Sequence, residues 1–278
     1  RRGYWQESID SNRASAAAAR NHFDQLHAMD YLAYAYLQMA QDLAARRVLD
    51  EATALQKINV ENLVPGYALA AIPARYTLER SRWADAASLA LPAGDFPWDR
   101  FPQAEAVLVF ARALGAARSG NATDASKDIA RLAVLRGTLE AAKQSYWAEQ
   151  VEIQRQVTAA WVARGRNQEA LQLMRAAADR EDATEKHPVT PGPIVPAREL
   201  LGEMLLELGD PRQALKEFET SHQVEPNRFK GLYGAARAAE LSGDREKART
   251  YYASLLALCE QADTERPELK EARVFLAR

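Results

Sequence analysis

Apolar and small residues recur along the chain at the spacing of amphipathic helices, and helix-length blocks alternate with short polar turns. Near the C-terminus, the blocks LLELGDPRQALKEFE and AAELSGDREKARTYY share one frame. The Gly-Asp pair at 209–210 recurs at 243–244, and Phe218 recurs as Tyr252, each with an offset of 34 residues. A fixed period of this length indicates stacked helix–turn–helix units. The pattern therefore predicts an all-α fold.

The segment 195–228 resembles a tetratricopeptide repeat, a unit of two antiparallel helices, residue by residue. Gly202 and Ala214 occupy the family's small positions, where the two helices touch. Phe218 occupies the position of the residue that fills the gap between repeats. Pro226 closes the second helix because proline cannot continue the hydrogen-bond ladder.

Weaker copies of this frame are predicted over 26–59, 67–100, 106–139, 151–184 and 229–262. Residues 1–20 carry the pattern of a second helix without its first, so we expect the chain to begin in mid-repeat, with at least one more helix preceding it in the native protein. Residues 267–278 begin with a proline at a helical first turn and carry apolar residues on one side, as a capping helix would. The resemblance thus implies one right-handed tetratricopeptide solenoid of about six repeats, with an N-terminal half repeat and a C-terminal capping helix.

Other segments, such as LHAMDYLAYAYLQ and DATEKHPVTPGP, are similar to the C-terminal region of longer bacterial proteins with tetratricopeptide repeats. The likeness covers essentially the whole chain and implies further repeats upstream. It implies no defined activity, so it bears on the fold alone.

Two segments interrupt the helical period. Residues 91–102, LPAGDFPWDRFP, are rich in proline and aromatic residues, and we expect this insert to pack over the helices. Residues 187–196, HPVTPGPIVP, hold four prolines in ten positions and predict an extended polyproline segment. This segment is interpreted as a stiff spacer, as part of a ligand-facing rim, or as a peptide motif for another protein.

Composition narrows the class of function. The chain has 36 Lys plus Arg against 38 Asp plus Glu, a formal charge of −2, which argues against a general nucleic-acid-binding protein. Hydrophobic residues make up 47% of the sequence, which is ample for a core, and alanine accounts for 55 of the 278 residues, which favours helices packed at close range. No stretch of 18 consecutive apolar residues occurs, so no membrane span is predicted.

Candidate catalytic and metal-binding residues are few. His27 and Asp30 share one face of a predicted helix, either as a solvated or hydrogen-bonded pair in a groove or as two ligands of a metal ion for which the spacing supplies no third ligand. The single cysteine, Cys259, lies in an apolar run typical of a core position. No glycine-rich phosphate-binding motif and no nucleophile–base arrangement is present, so we predict neither catalysis nor a cofactor.

The resemblance implies a concave face lined by the first helix of each repeat. The positions concerned hold His27, Asp30, Tyr34, Arg75, Arg155, Glu199, Glu203, Lys230, Tyr233 and Arg237. A lining of mixed charge with two tyrosines suits an extended peptide, held by aromatic contacts and charge-assisted hydrogen bonds. The family's basic clamp for a C-terminal carboxylate is excluded here, because Glu199 and Glu203 occupy its place. For each residue the alternative is ordinary solvation on an exposed helix.

These observations predict a non-catalytic scaffold or adaptor that binds a protein or peptide on its concave face. One alternative is a recruiting or regulatory domain of a longer enzyme or sensor. Another is an enzyme in its own right that acts on a small molecule or through a metal. Self-association into a homo-oligomer is a further expectation, because the open N-terminal edge would expose apolar surface.

Overall fold

The computed structural model describes residues 2–55, 57–92 and 94–278. Arg1, Gln56 and Ala93, which fall in the predicted segments 1–20, 26–59 and 91–102, lie outside the described residues. Within those ranges the chain is all-helical, with no β-strand. The α-helices are α1 Trp5–Ala18, α2 His22–Gln38, α3 Asp42–Thr53, α4 Leu63–Leu78, α5 Trp83–Ala87, α6 Pro102–Arg118, α7 Ala122–Ala141, α8 Ser145–Val162, α9 Asn167–Asp182, α10 Ala197–Glu207, α11 Pro211–Val224, α12 Phe229–Ser242, α13 Arg245–Leu258 and α14 Pro267–Leu276.

Most helices pack as consecutive antiparallel pairs joined by tight turns of two to four residues. In six of these turns one residue takes a positive φ and the next N–H bonds to the carbonyl five residues earlier, which satisfies an orphan carbonyl at the helix end. The bond from the Asp210 N–H to the Leu205 carbonyl, 2.9 Å long, is an example. The residues with positive φ in these six turns are Ala40, Ser81, Gly120, Lys143, Gly209 and Gly243.

The first helices of successive pairs pack side by side and form an inner layer, with α2 on α4, α4 on α6, α6 on α8, and α10 on α12. Between α8 and α10 the proline-rich segment 187–196 enters the interior, where Ile194 and Val195 join the main hydrophobic core. The second helices lie outside this layer and carry most of the exposed polar residues.

Phe218 shows how successive pairs fit together. Its ring is fully buried between Gly202 on α10 and Gly234 on α12, and a methyl group at either glycine would overlap the ring. The prediction that Phe218 fills the gap between two helical pairs is therefore confirmed.

The pair α4–α5 departs from the others. Its second helix is only five residues long, because the chain leaves it for the aromatic insert that follows. The Phe96 ring sits against Gly66 on α4, with the Trp98 and Phe101 rings 4.9 Å and 5.3 Å away between centroids. The described part of the insert thus packs over the helices, as predicted.

The helical array returns on itself, so that α2 contacts α12. The Trp5 indole Nε1 donates a hydrogen bond to the carbonyl of Asn227, and the Phe229 N–H donates to Gln38 Oε1 at 2.9 Å. Arg266, which precedes α14, forms a buried ion pair with Asp42 at the start of α3. The sequence pattern gave no indication that the first and last helices meet.

Candidate functional site

The ten predicted groove residues separate into two main groups. Four of them are at most 2% exposed and lie inside the array: Asp30, Tyr34, Arg75 and Glu199. Four others line one open cleft beside α12: Glu203, Lys230, Tyr233 and Arg237. Arg155 lies apart from both groups, and His27 lies at the edge of the first, one helical turn from Asp30 on α2.

Arg75 holds the proline-rich segment in the interior. Its Nε donates to Asp30 Oδ1 at 3.0 Å, while Nη2 donates to Thr190 Oγ1 and to the Gly192 carbonyl, both at 2.9 Å. Its Nη1 donates to the Pro193 carbonyl at 2.7 Å. The hydrogen bonds of the Arg75 guanidinium are therefore all made to acceptors within its own chain. Arg75 and Asp30 present no surface to a partner in this structure, because the segment 187–196 covers them.

A second buried cluster of charged and polar side chains lies next to the Arg75 contacts, with Arg228 at its centre. The sequence did not single out Arg228. The Arg228 guanidinium donates to Glu199 Oε1 at 2.8 Å, to Glu79 Oε1 at 2.7 Å and to the Tyr34 hydroxyl. Glu199 and Tyr34 are therefore inaccessible too. Arg228 lies in the turn before α12, where a charged residue ordinarily faces solvent, so its sequence position carried no signal of burial.

Tyr34 is enclosed on both faces. The guanidinium carbons of Arg75 and Arg228 lie 4.6 Å and 5.3 Å from its ring centroid, and the Trp5 ring meets it edge-on at 5.1 Å. Burial raises the pKa of the Tyr34 hydroxyl above its usual range, so Tyr34 is neutral and acts here as a packing and hydrogen-bonding residue.

The open cleft has a volume of about 260 Å³ and lies between the C-terminal end of α10 and the side of α12 that carries the half-buried Tyr233 and Arg237. Leu206 forms the accessible part of an apolar floor, with the buried rings of Phe218 and Phe229 beneath it, and charged residues form the walls of the cleft. The combination of an apolar floor with a few convergent polar groups is typical of a binding site.

The charges at the base of the cleft are already paired. Lys230 Nζ lies 3.0 Å from Glu203 Oε1, and Arg118 bridges Glu203 and Glu207 at 3.4 Å and 3.0 Å. Burial opposes the ionisation of Glu203, but Lys230 and Arg118 together hold its pKa below the usual range. Glu203 is therefore ionised at neutral pH, and the base of the cleft carries fixed charges of both signs.

Two tryptophans fix these cations in place. The Arg118 guanidinium carbon lies 4.4 Å from the Trp83 ring centroid and 3.9 Å from that of Trp161. Lys230 Nζ lies 5.0 Å from the Trp83 centroid. Arg118, Trp83 and Trp161 come from three different helical pairs, so no spacing in the sequence could have assigned them to one site.

Tyr233 and Arg237 form the outer wall. The Tyr233 hydroxyl donates to Glu271 Oε2 on α14 at 2.7 Å, and Arg237 Nη1 pairs with Glu240 Oε2 at 2.7 Å. Arg237 also borders a second cleft of about 310 Å³, which runs between α12 and α14. The two clefts adjoin along α12.

The two remaining predicted residues make local contacts. The His27 ring packs on Tyr31 with centroids 5.0 Å apart, and Arg155 pairs with Glu152 on its own helix at 2.7 Å. Asp30 is buried and bonds to Arg75, and although His27 is close enough to interact with it electrostatically, no hydrogen bond is described between the two side chains. In the described ranges, no group of three or more His, Cys, Asp or Glu side chains is placed to hold a metal ion.

Cys259 is buried, as predicted for a core residue, and burial raises the pKa of its thiol to about 12. Among the described helices, none is both long and apolar enough to cross a membrane. Comparison with protein-family models and with curated proteins finds no match to the sequence.

Proposed function

We propose that this chain is a non-catalytic binding module built as a tetratricopeptide-type solenoid, and that it binds an extended peptide in the cleft beside α12. The observation that carries the proposal is the convergence of Glu203, Lys230, Tyr233 and Arg237 over one apolar floor. Four of the other implied positions, Asp30, Tyr34, Arg75 and Glu199, are buried, in contact with the segment 187–196 or with Arg228.

The shape of the surface favours a peptide over a compact small molecule. Each cleft alone, at about 260 Å³ and 310 Å³, is near or below the lower limit of pockets that enclose a small ligand. Together they form an elongated surface along α12 that remains open to solvent. An extended segment of a few residues can follow it with alternate side chains over the apolar floor.

The rigidity of the lining supports binding. Arg118, Glu203 and Lys230 are held by mutual ion pairs and by the two tryptophan rings, so little side-chain ordering remains when a ligand docks. Mixed fixed charges favour a peptide that carries both an acidic and a basic side chain, because each can bond to a lining residue of opposite sign.

Selection from a library of random twelve-residue peptides, followed by fluorescence anisotropy with the enriched sequences, tests the proposal. We expect Tyr233→Ala and Arg237→Glu each to weaken binding at least tenfold. Tyr251→Ala and Arg180→Glu are matched controls, because Tyr251 lies on α13 and Arg180 pairs with Glu149 away from the cleft. Variants are compared only at equal helicity and melting temperature. Equal affinity in all four variants would refute the cleft assignment.

A further inference from the structure

A narrow cavity lies beneath the proline-rich segment 187–196, between that segment and the inner helices α6 and α8. Its volume of about 40 Å³ gives room for about three water molecules or for a ligand of about three or four non-hydrogen atoms. Glu185, just after α9, is an exposed member of the lining and marks the mouth of the cavity. Among the described residues, the cavity shares none of its lining with the cleft beside α12, so it is a separate candidate site.

The walls of this cavity are mostly apolar. Side chains from α4, α6, α8 and the segment itself form them, among them Tyr67, Val107, Phe110, Trp147, Val151 and Ile194. Arg75 holds the segment over the cavity, because its guanidinium donates to the carbonyls of Gly192 and Pro193. A polar group in such surroundings is unfavourable unless it has a hydrogen-bond partner.

Two glutamine side chains interrupt the apolar lining. Gln103, at the start of α6, is 6% exposed, and Gln154, in the middle of α8, is half-buried. The Oε1 atom of each is buried without a hydrogen-bond partner. Among the described residues that line the cavity, no other buried side-chain nitrogen or oxygen is in this state. Both atoms are acceptors, so a ligand that supplies donors here would relieve an unfavourable arrangement.

The charged groups of the lining do not favour an anion. Two carboxyl groups, those of Glu181 and Glu185, line the cavity together with Lys186. The Lys186 ammonium donates to the Thr190 carbonyl at 2.8 Å and lies 3.5 Å from the Tyr31 hydroxyl, so it is engaged by the segment and by α2. Two amide acceptors instead favour a ligand with several N–H donors, and the neighbouring aromatic rings favour a cation.

We propose that this cavity binds a primary ammonium group on a short aliphatic chain, supplied either by a free amine or by a lysine side chain of a partner. The ammonium donates to the amide oxygens of Gln103 and Gln154, directly or through a retained water molecule, and the apolar walls cover the aliphatic chain. An alcohol of the same size has a single donor and a carboxylate has none. This inference does not depend on what the cleft beside α12 binds.

Titration of the ¹⁵N-labelled protein with propylamine at pH 7.5, where an alkylamine is a cation, tests the proposal by nuclear magnetic resonance. The reporters are the side-chain amide resonances of Gln103 and Gln154. For so small a ligand we expect saturable shifts with a dissociation constant in the millimolar range. 1-Propanol and propionate should bind at least tenfold more weakly. Nα-acetyl-lysine amide separates the two sources: tighter binding than propylamine identifies a lysine side chain, and weaker binding identifies a free amine.

Gln103→Met and Gln154→Met each remove one acceptor and keep the side chain about the same size. Each should weaken propylamine binding at least tenfold without lowering the melting temperature, because the amide oxygen that is lost had no partner. Gln172→Met, at an exposed position on α9, is the matched control and should bind as the parent does. Three results would overturn the proposal: no saturable shift with propylamine, equal affinity for 1-propanol, or unchanged affinity in whichever of the two cavity variants fold.

Discussion

The Asp263 carboxylate accepts a hydrogen bond from the backbone N–H of Leu43, 220 residues earlier in the chain, at 2.9 Å. Its second oxygen accepts from the N–H of Ala44, also at 2.9 Å. The residue that precedes α3, Gln41, makes no capping bond with its own side chain. The N-terminus of α3 is therefore capped by a residue from the loop between α13 and α14.

We expect Asp263→Ala to lower the free energy of unfolding by about 1 kcal/mol, the usual effect of losing a helix cap. Chemical denaturation with a constant m-value measures the change. Adding Gln41→Asp to this variant supplies a local cap and separates two roles. Full recovery would mean that Asp263 acts as a cap alone, whereas partial recovery would show that it also holds the two ends of the chain together.

Arg228→Met should be far more damaging, because it leaves Glu79 and Glu199 buried without their cation. Removing one partner of a buried ion pair costs about 3–5 kcal/mol. Urea denaturation at pH 7 measures this loss. The double variant Arg228→Met, Glu199→Gln should recover part of the stability, since one orphaned charge is removed with the second substitution. A double variant less stable than Arg228→Met would contradict this account of the cluster.

Lys143 occupies a positive φ of 58° in the turn between α7 and α8 and is exposed. In this conformation a residue with a side chain is less stable than glycine by roughly 1–2 kcal/mol. Glycine loses part of this advantage because it has more conformational entropy in the unfolded chain. We expect Lys143→Gly to stabilise the protein by about 0.5–1 kcal/mol in thermal and chemical unfolding. The reciprocal control is Gly120→Ala, at φ 82° in the turn after α6, which should destabilise.

The packing of Phe218 predicts an overpacking effect. A methyl group at Gly234 would overlap the Phe218 ring, so Gly234→Ala should lower the free energy of unfolding by about 1–3 kcal/mol. Combining it with Phe218→Leu should recover stability relative to the sum of the two single variants, because the smaller side chain makes room for the methyl group. Strict additivity in this double-mutant cycle would show that the two positions are not in contact.

Cys259 offers a chemical measure of opening. Because burial raises the pKa of its thiol to about 12, the thiolate fraction at pH 7.5 should be on the order of 10³-fold below that of an ordinary cysteine. Labelling with a maleimide should be slow in the folded protein and rapid in urea. Fast labelling under native conditions would show that the segment around Gln38, whose carbonyl faces the thiol, opens readily.

The local parts of this structure were predictable from the sequence. The helical periodicity predicted the elements, and α10 and α11 both fall within the segment 195–228. The role of Phe218 followed from the resemblance of the segment 195–228 to a tetratricopeptide repeat. The burial of Cys259 followed from the apolar run around it.

The contacts between distant segments were not predictable in this way. Arg228 meets Tyr34 across 194 positions of the chain, and Arg75 meets Gly192 across 117. Such contacts depend on the curvature of the helical array, which is the sum of small rotations between successive helical pairs. The spacing of residues in the sequence does not indicate how large that sum is. Tyr34 and Glu199 were consequently predicted to line an open groove, whereas both lie inside the structure.

Because the helical array returns onto itself, helical pairs cannot easily be added to this chain or removed from it. In an open stack of repeats each unit contacts only its neighbours, so units are gained or lost at modest cost and the ends unfold independently. Here the Trp5–Asn227 and Asp42–Arg266 contacts fix the number of helical pairs that fit between the two ends. Duplicating or deleting one pair would break both contacts at once, so this arrangement constrains repeat number as well as sequence.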